Sequence, residues 1–379
     1  MIPTKTSKLT QSVHAGSHDF LAHGGVVTPI FPSSAYDYEG GRMSQYPRYF
    51  NIPNQRAVAS KVAALENAEA GLVFSSGMAA ILTTLFSLLK NGDHAIFQRD
   101  LYGGTHHALA QEMPRFGIAY TLVEGADPAN FEKAIRPETR LIYIETPSNP
   151  TLKITDIRAV AAIARKHGLL TVIDNTFASP VNQNPIDLGI DIVLHSGTKY
   201  IGGHSDLCCG FAVTTQDLTQ RILASAVNFG GSLDAHTAWL VERSLKTIVL
   251  RVRQQNENAL AIARYLKTDS RVGQVYYPGL EDHPDHAIAR AQMPGGFGGM
   301  LSFEVKGDAQ VFMGKLALIQ RAASLGGVES TITSPVRSSH VKLSAEERKA
   351  VGVTDELVRL STGIEEAEEL IHDIKQALA

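Results

Sequence analysis

From Gly71 onward the chain repeats one unit: a short apolar run, a turn rich in glycine or serine, then a stretch with helical spacing. Few folds admit that repetition. Gly71 to Phe74 reads as a strand, Ser75-Ser76-Gly77 as the turn and Met78 to about Lys90 as the helix. The pattern returns in HAIFQRD (His94 to Asp100) before Tyr102-Gly103-Gly104-Thr105, in IAYTLVE (Ile118 to Glu124), and in RLIYIET (Arg140 to Thr146) before Pro147-Ser148-Asn149-Pro150. A helix over Ile157 to His167 leads to LLTVIDNTF (Leu169 to Phe177), and Asp191 to Leu194 is a further buried strand. Such alternation predicts an α/β protein with a mostly parallel sheet covered on both faces. Ligands of such sheets bind beyond the carboxyl ends of the strands, and the polar clusters of this chain fall there.

The flanks read differently. The first fifty residues carry Gly24-Gly25, Pro29, Pro32, Gly40-Gly41 and Pro47 between polar pieces, which suits an extended arm or long loop. Its cluster of Tyr46, Arg48, Tyr49 and Phe50 packs on a partner subunit or belongs to an ordinary surface loop. Past Cys209-Gly210 come one more strand-like run, a helix near Leu218 to Asn228, and a long helical pattern from Ala235 to about Lys267 that bridges to a second unit. There QVYYP, MLSFEV, the turn Gly295 to Gly299 and an amphipathic helix from Glu365 to Leu378 predict an α+β cap. The expected division is an arm over 1–50, a large domain over 51–245 and a smaller C-terminal domain over 246–379.

With 379 residues, 44% of them hydrophobic, the chain has material for two cores, and a net charge of -3 argues against nucleic acid or an anionic membrane as partner. No apolar stretch is long enough to span a bilayer, and MIPTKTSKLTQSVHAGSHD lacks the apolar centre of a secretory signal. Adjacent Cys208 and Cys209 have poor geometry for a disulfide and read as small buried hydrophobes in a reducing compartment, hence a cytoplasmic protein.

HSGTKYIGGHSD (His195 to Asp206) sets Lys199 where a strand runs out into glycines, with the hydroxyls of Ser196 and Thr198 beside it. A lysine near other cations or apolar walls loses its proton readily enough to form a Schiff base; the plainer reading is a surface lysine in a turn. The turn Ser75 to Met78 offers backbone N–H groups at a helix start, a site for a phosphate. No GxxxxGK[ST] run exists, and no GxGxxG fingerprint opens a strand-helix unit, so a nucleotide hydrolase and a dinucleotide site are disfavoured. Asp174 ends an apolar strand, where a carboxylate needs a partner; a protonated pyridine nitrogen supplies one, and capping of Asn175-Thr176 is the alternative. Tyr102 can lay its ring on a planar cofactor or simply pack. Neither His106-His107 nor His283 with His286 has the three or four spaced ligands of a metal site. Arg359, before a glycine turn, binds a carboxylate or sits in a surface pair.

Together SSGMAAI, YGGT, ETPSNP, VIDNTFASP, SGTKYIGGHSD, SLGGVES and RLSTGIE, in this order and spacing, resemble the Cys/Met-metabolism family of pyridoxal-phosphate enzymes, from about Ser12 to Ala379. That family includes cystathionine β- and γ-lyases, cystathionine γ-synthase, O-acylhomoserine sulfhydrylase and methionine γ-lyase. The resemblance implies pyridoxal phosphate held covalently by Lys199, with Asp174 on its ring nitrogen and Tyr102 stacked on its ring. It further implies that Gly77, Met78, Ser196 and Thr198 hold the phosphate, with Tyr46 and Arg48 reaching it from a neighbouring subunit. Ser324 and Arg359 are implied for the substrate α-carboxylate, and Asn149 beside the cofactor's phenolic oxygen. The implied fold is that of the aspartate aminotransferase group, PLP fold type I, and the implied assembly a homotetramer of two dimers.

Three departures bear on the substrate. The family's Y-x-R-x-x-N-P-T reads YPRYFNIPN here, with Ile52 interposed; methionine γ-lyases carry cysteine where this chain has Gly104; and Ala323 stands where many γ-synthases and γ-lyases have glutamate. The leading expectation is a lyase cleaving carbon–sulfur bonds in cystathionine or related sulfur amino acids. Behind it stand a transferase making a γ-replacement on an acylated homoserine and, from another class, a catalytically silent cofactor-binding regulatory protein.

Overall fold

A computed structural model describes residues 6–17, 24–37, 45–338, 348 and 352–379. The alternating segment builds a sheet of β1 (Ala70–Phe74), β2 (His94–Gln98), β3 (Ala119–Val123), β4 (Thr139–Glu145), β5 (Leu170–Asp174), β6 (Ile192–Ser196) and β7 (Gly210–Thr214). Its order is β1-β7-β6-β5-β4-β2-β3; β7 runs antiparallel to both neighbours, and the other pairings are parallel. Leu141, Ile142, Tyr143 and Ile144 of β4 are all fully buried, so both faces of the sheet are covered, which is why these strands read as continuous apolar runs. Parallel pairing puts the ends of β4, β5 and β6 side by side, with Glu145 opposite Asp174 and Asp174 opposite Leu194.

A second sheet comprises β8 (Val272–Tyr276), β9 (Met300–Val305), β10 (Gln320–Arg321), β11 (Thr331–Thr333) and β12 (Leu357–Ser361), in the order β10-β11-β12-β9-β8. The single helical pattern expected from Ala235 to Lys267 is two helices, Ala235–Leu245 and Ile248–Thr268. At the corner the N–H groups of Lys246 and Thr247 turn back to carbonyls three residues earlier, which tightens and ends the first helix. Arg251 fixes the corner from within by donating to the carbonyls of Tyr200 and Ser244 at 2.9 and 3.0 Å, tying it to the lysine segment. Ile248, Val249 and Val252 pack into the core under the first sheet, whereas Ala259, Ile262, Ala263 and Leu266 pack under the second.

The amino-terminal region departs from an open arm. It holds a helix, Lys8–His14, and its described parts lie on this same chain. Lys61, fully buried, donates to the Val13 carbonyl and to Ser17 Oγ, both at 3.0 Å, while Glu242 accepts from Ser17 at 2.7 Å and Thr28 at 3.0 Å. Phe50 is buried with its ring 5.1 Å from that of Phe74. Gly40-Gly41 lies outside the described residues.

Candidate active site

Lys199 enters the site from the turn after β6. Its N–H bonds the Ser196 carbonyl at 3.2 Å and its carbonyl accepts from Gly203 at 2.7 Å, so the backbone is fixed on both sides. Its Nζ donates to Ser324 Oγ at 2.8 Å, 125 residues along the chain. Burial, and then the Arg359 charge, push its pKa below the ordinary lysine value, with Cys208 and Asp174 opposing. An amine so placed is easier to find unprotonated, as a nucleophile or base requires.

Arg359 comes from β12 of the second sheet and is buried, which rules out the surface-pair reading. Burial pushes its pKa down to about 10. Nη1 donates to Asn149 Oδ1 at 2.8 Å and Nη2 to the Ser324 carbonyl at 3.3 Å, whereas Nε is buried with no partner among the described residues. A clamped guanidinium with one nitrogen left over is suited to a carboxylate. Ser324 itself has φ +82°, the left-handed region that a serine rarely adopts, and this bend brings its hydroxyl to Lys199 and its carbonyl to Arg359.

Asp174 and Glu145 end neighbouring strands, and both are buried. Burial pushes both carboxyls up; the Asp174 charge drives Glu145 further, while Thr176, His195 and Lys199 pull Asp174 back. Thr176 N–H donates to Asp174 Oδ1 at 3.0 Å, so Asp174 does cap the following turn as well as face the cavity. Glu145 Oε2 accepts the N–H of Tyr102 at 2.8 Å and so holds the residue that opens the helix Gly103–Gln111. Glu145 was not anticipated, although RLIYIE ends an apolar strand on a carboxylate just as LLTVID does.

At the helix Gly77–Leu88, Ser76 Oγ takes the Ala79 N–H at 3.1 Å, leaving those of Gly77 and Met78 for a ligand. A Cβ on Gly77 would lie 2.9 Å from that of Ser196, so glycine is what lets helix and strand end meet. A cavity of about 510 Å³ is lined by Lys199, Asp174, Tyr102, Gly77, Met78, Ser196, Thr198, Asn149, Ser324 and Arg359, together with Glu145, Ala323 and Cys208. Cys208 corrects an expectation: only Cys209 is buried, because successive residues leading into β7 point to opposite sides. Tyr46 and Arg48 do not line this cavity; Arg48 donates to the Val227 carbonyl and lies over the Tyr46 and Tyr49 rings. His283 accepts the Asp285 N–H and His286 bonds the Pro278 carbonyl, so each has a local role.

The residues present fit pyridoxal phosphate. Asp174 faces the cavity with no cation bonded to it among the described residues, a helix start stands open for a phosphate, the Lys199 amine lines the same cavity, and a buried N–H of Arg359 has no acceptor among the described residues.

A family model described as "Cys/Met metabolism PLP-dependent enzyme" matches residues 9–379. The chain is 44% identical to cystathionine gamma-lyase of Bacillus subtilis (strain 168), covering 98% of this chain and 99% of that protein. It is 43% identical to cystathionine beta-lyase of Lactococcus lactis subsp. cremoris (strain MG1363), again over 98% and 99%. A crystal structure of cystathionine gamma synthase from Xanthomonas oryzae pv. oryzae, in complex with aminoacrylate and cysteine, matches with a TM-score of 0.95 at 40% identity, covering 99% of this chain and 98% of that one.

Proposed function

We propose, from the premise that the chain belongs to the Cys/Met metabolism family of PLP-dependent enzymes, that it cleaves a carbon–sulfur bond of cystathionine or a related sulfur amino acid by β- or γ-elimination. The observation that carries this reading is the meeting of Lys199, Ser324, Arg359 and Asp174, drawn from both sheets and the turns beside them, around one cavity. The cofactor would be held by Lys199 through its amine, by Asp174 at the ring nitrogen and by Tyr102 on the ring face. Its phosphate would take the N–H groups of Gly77 and Met78 and the hydroxyls of Ser196 and Thr198, and Asn149 would stand beside its phenolic oxygen. When bound, pyridoxal phosphate supplies an electron sink for the pair left as a proton leaves Cα.

Arg359 takes the substrate α-carboxylate on its free Nε, and its two other contacts keep the guanidinium from swinging. Lys199, whose proton burial and Arg359 make easier to lose, accepts the Cα proton; Ser324 Oγ, bonded to the same Nζ, aims it. In β-elimination Lys199 then delivers a proton to the departing thiolate. In γ-elimination it must also carry one away from Cβ. The assembly is a cytoplasmic homotetramer of two dimers in which Tyr46 and Arg48 complete a neighbour's site: both lie outside their own cavity, Tyr46, Tyr49 and Phe229 are exposed, and the two thiols are free.

The test is to supply L-cystathionine to the cofactor-loaded protein and identify the 2-oxo acid. Pyruvate with homocysteine establishes β-elimination; 2-oxobutyrate with cysteine establishes γ-elimination. Absence of both, with cystathionine formed from an acylated homoserine and cysteine, overturns the lyase reading in favour of γ-replacement.

A further inference from the structure

Behind the strand ends, on the side away from the cavity, a second carboxylate does something the reaction scheme leaves unexplained. Glu66, the residue after the helix Pro53–Leu65, is fully buried, and its Oε1 lies 2.7 Å from Nε2 of the equally buried His195. The same Oε1 accepts Asn175 Nδ2 at 2.7 Å, and Oε2 accepts Asn184 Nδ2 at 3.0 Å. Asn175 follows Asp174 directly, and His195 precedes Ser196. Since successive residues of a strand point to opposite faces, Asp174 and Ser196 look into the cavity while Asn175 and His195 look away from it. One carboxylate therefore grips the two strand ends that carry the cofactor-facing groups. Asn175 is held on its other side as well, its N–H on the Leu194 carbonyl at 2.9 Å and its Oδ1 on Gln183 Nε2 at 2.8 Å.

A buried pair of this kind is weak evidence for stability, because apolar residues of similar volume often serve as well or better. We propose that Glu66 and His195 are positioning residues that fix the depth and charge of the Asp174 carboxylate, and through it the protonation of the cofactor's ring nitrogen. The inference rests on the reading that Asp174 meets that nitrogen. The groups facing Asp174 are Glu145 and Tyr143 from β4, Thr176 from its own turn, and His195 and Lys199 from β6 and the turn after it. Glu145 and Asp174 disfavour two negative charges side by side, and His195 is the counterweight on the far side of the strand. Replacing Glu66 loosens both the grip on Asn175 and the fixed orientation of that counterweight, whereas replacing His195 removes the counterweight itself.

The experiment uses full-length holoenzyme reconstituted with pyridoxal phosphate labelled with ¹⁵N in the ring, in wild type, Glu66→Gln, His195→Gln and Asp174→Asn. The ring ¹⁵N chemical shift reports whether the nitrogen carries a proton; cofactor dissociation constants, kcat and KM are measured alongside. The expected result is a protonated nitrogen in wild type, and in Glu66→Gln and His195→Gln a shift towards the unprotonated position. With it goes a fall in kcat of about tenfold per bound cofactor, what one pKa unit lost at that nitrogen costs, while KM changes by less than about twofold. His195→Gln keeps a donor for Glu66, so it carries the test should Glu66→Gln fail to fold. Folded variants with a wild-type ¹⁵N shift and kcat, altered only in melting temperature, would overturn the proposal. If Asp174→Asn also left the ¹⁵N shift unchanged, the fault would lie in the Asp174 reading instead.

Discussion

Replacing Arg359 by lysine keeps the charge and removes the fork. In the wild type Nη1 serves Asn149 Oδ1 at 2.8 Å, Nη2 serves the Ser324 carbonyl at 3.3 Å, and Nε is left for the substrate. One ammonium on a flexible stem cannot hold all three in that geometry. If it stays with Asn149 and Ser324, the substrate carboxylate loses a charge-assisted hydrogen bond, about 1.5–3 kcal/mol. That corresponds to a rise in KM of about 10- to 150-fold, at 1.4 kcal/mol per factor of ten. If it turns to the substrate, Asn149 Oδ1 or the Ser324 carbonyl is left without its donor, and the cost of about 1–3 kcal/mol appears in the melting temperature instead. The assay follows thiol release from L-cystathionine with a chromogenic disulfide across substrate concentrations, with the cofactor's visible band confirming equal occupancy. A variant with wild-type KM and wild-type melting temperature would refute the assignment of Arg359 as the carboxylate clamp.

At Gly104 a Cβ would fall 2.5 Å from Tyr102 Cε1, so Gly104→Cys must push the Tyr102 ring aside. That ring is exposed and free to move, so stability should change by less than about 0.5 kcal/mol while cofactor affinity drops; unchanged affinity by cofactor titration counts against Tyr102 stacking on the ring. Lys61→Met strands the buried Glu242 charge, which already has one oxygen without a partner, and should cost about 3–5 kcal/mol in chemical denaturation. The double variant Lys61→Met/Glu242→Gln should recover much of that loss, and equal stability of single variant and wild type would show the pair to be idle. Glu145 has a folded-state pKa raised above its ordinary 4.5, so its contribution to the cofactor-free protein is full below that value and is lost as pH rises through the folded pKa. Melting temperature of the cofactor-free protein should therefore fall over that range, and Glu145→Gln should flatten the fall; parallel profiles for variant and wild type would contradict the buried carboxylate pair.

The first sheet is legible in the sequence because its strands are buried on both faces and punctuated by turns, so apolar runs and glycines mark them to within three residues. β10 and β11 were missed for the opposite reason: β10 has two residues and β11 three, too few to show any period. The break after Leu245 was invisible because Lys246 and Thr247 are not helix breakers; the turn is enforced by Arg251 and by packing into two different cores. Lys199, Asp174, Asn149, Ser324 and Arg359 stand out in order along the chain, but their contacts are not local: Lys199 meets Ser324 across 125 residues and Arg359 meets Asn149 across 210. The left-handed turn at Ser324, without glycine, gave no sign of itself. Glu66 was unreadable, since a glutamate after a helix is ordinary until His195 and Asn175 arrive from two strands to meet it.

What the assembled site then implies is a ligand with two charged ends. Among the described residues, neither Asp174 nor Arg359 takes part in an ion pair, although they are opposite in sign and line one cavity. Each is instead pinned in place by neutral groups, Asp174 by the Thr176 N–H and Arg359 by Asn149 and the Ser324 carbonyl. On the function proposed above, a protonated pyridine ring at one end and an amino-acid carboxylate at the other would satisfy both at once, with Lys199 lining the same cavity. On that proposal the separation of the two groups would select cofactor and substrate together.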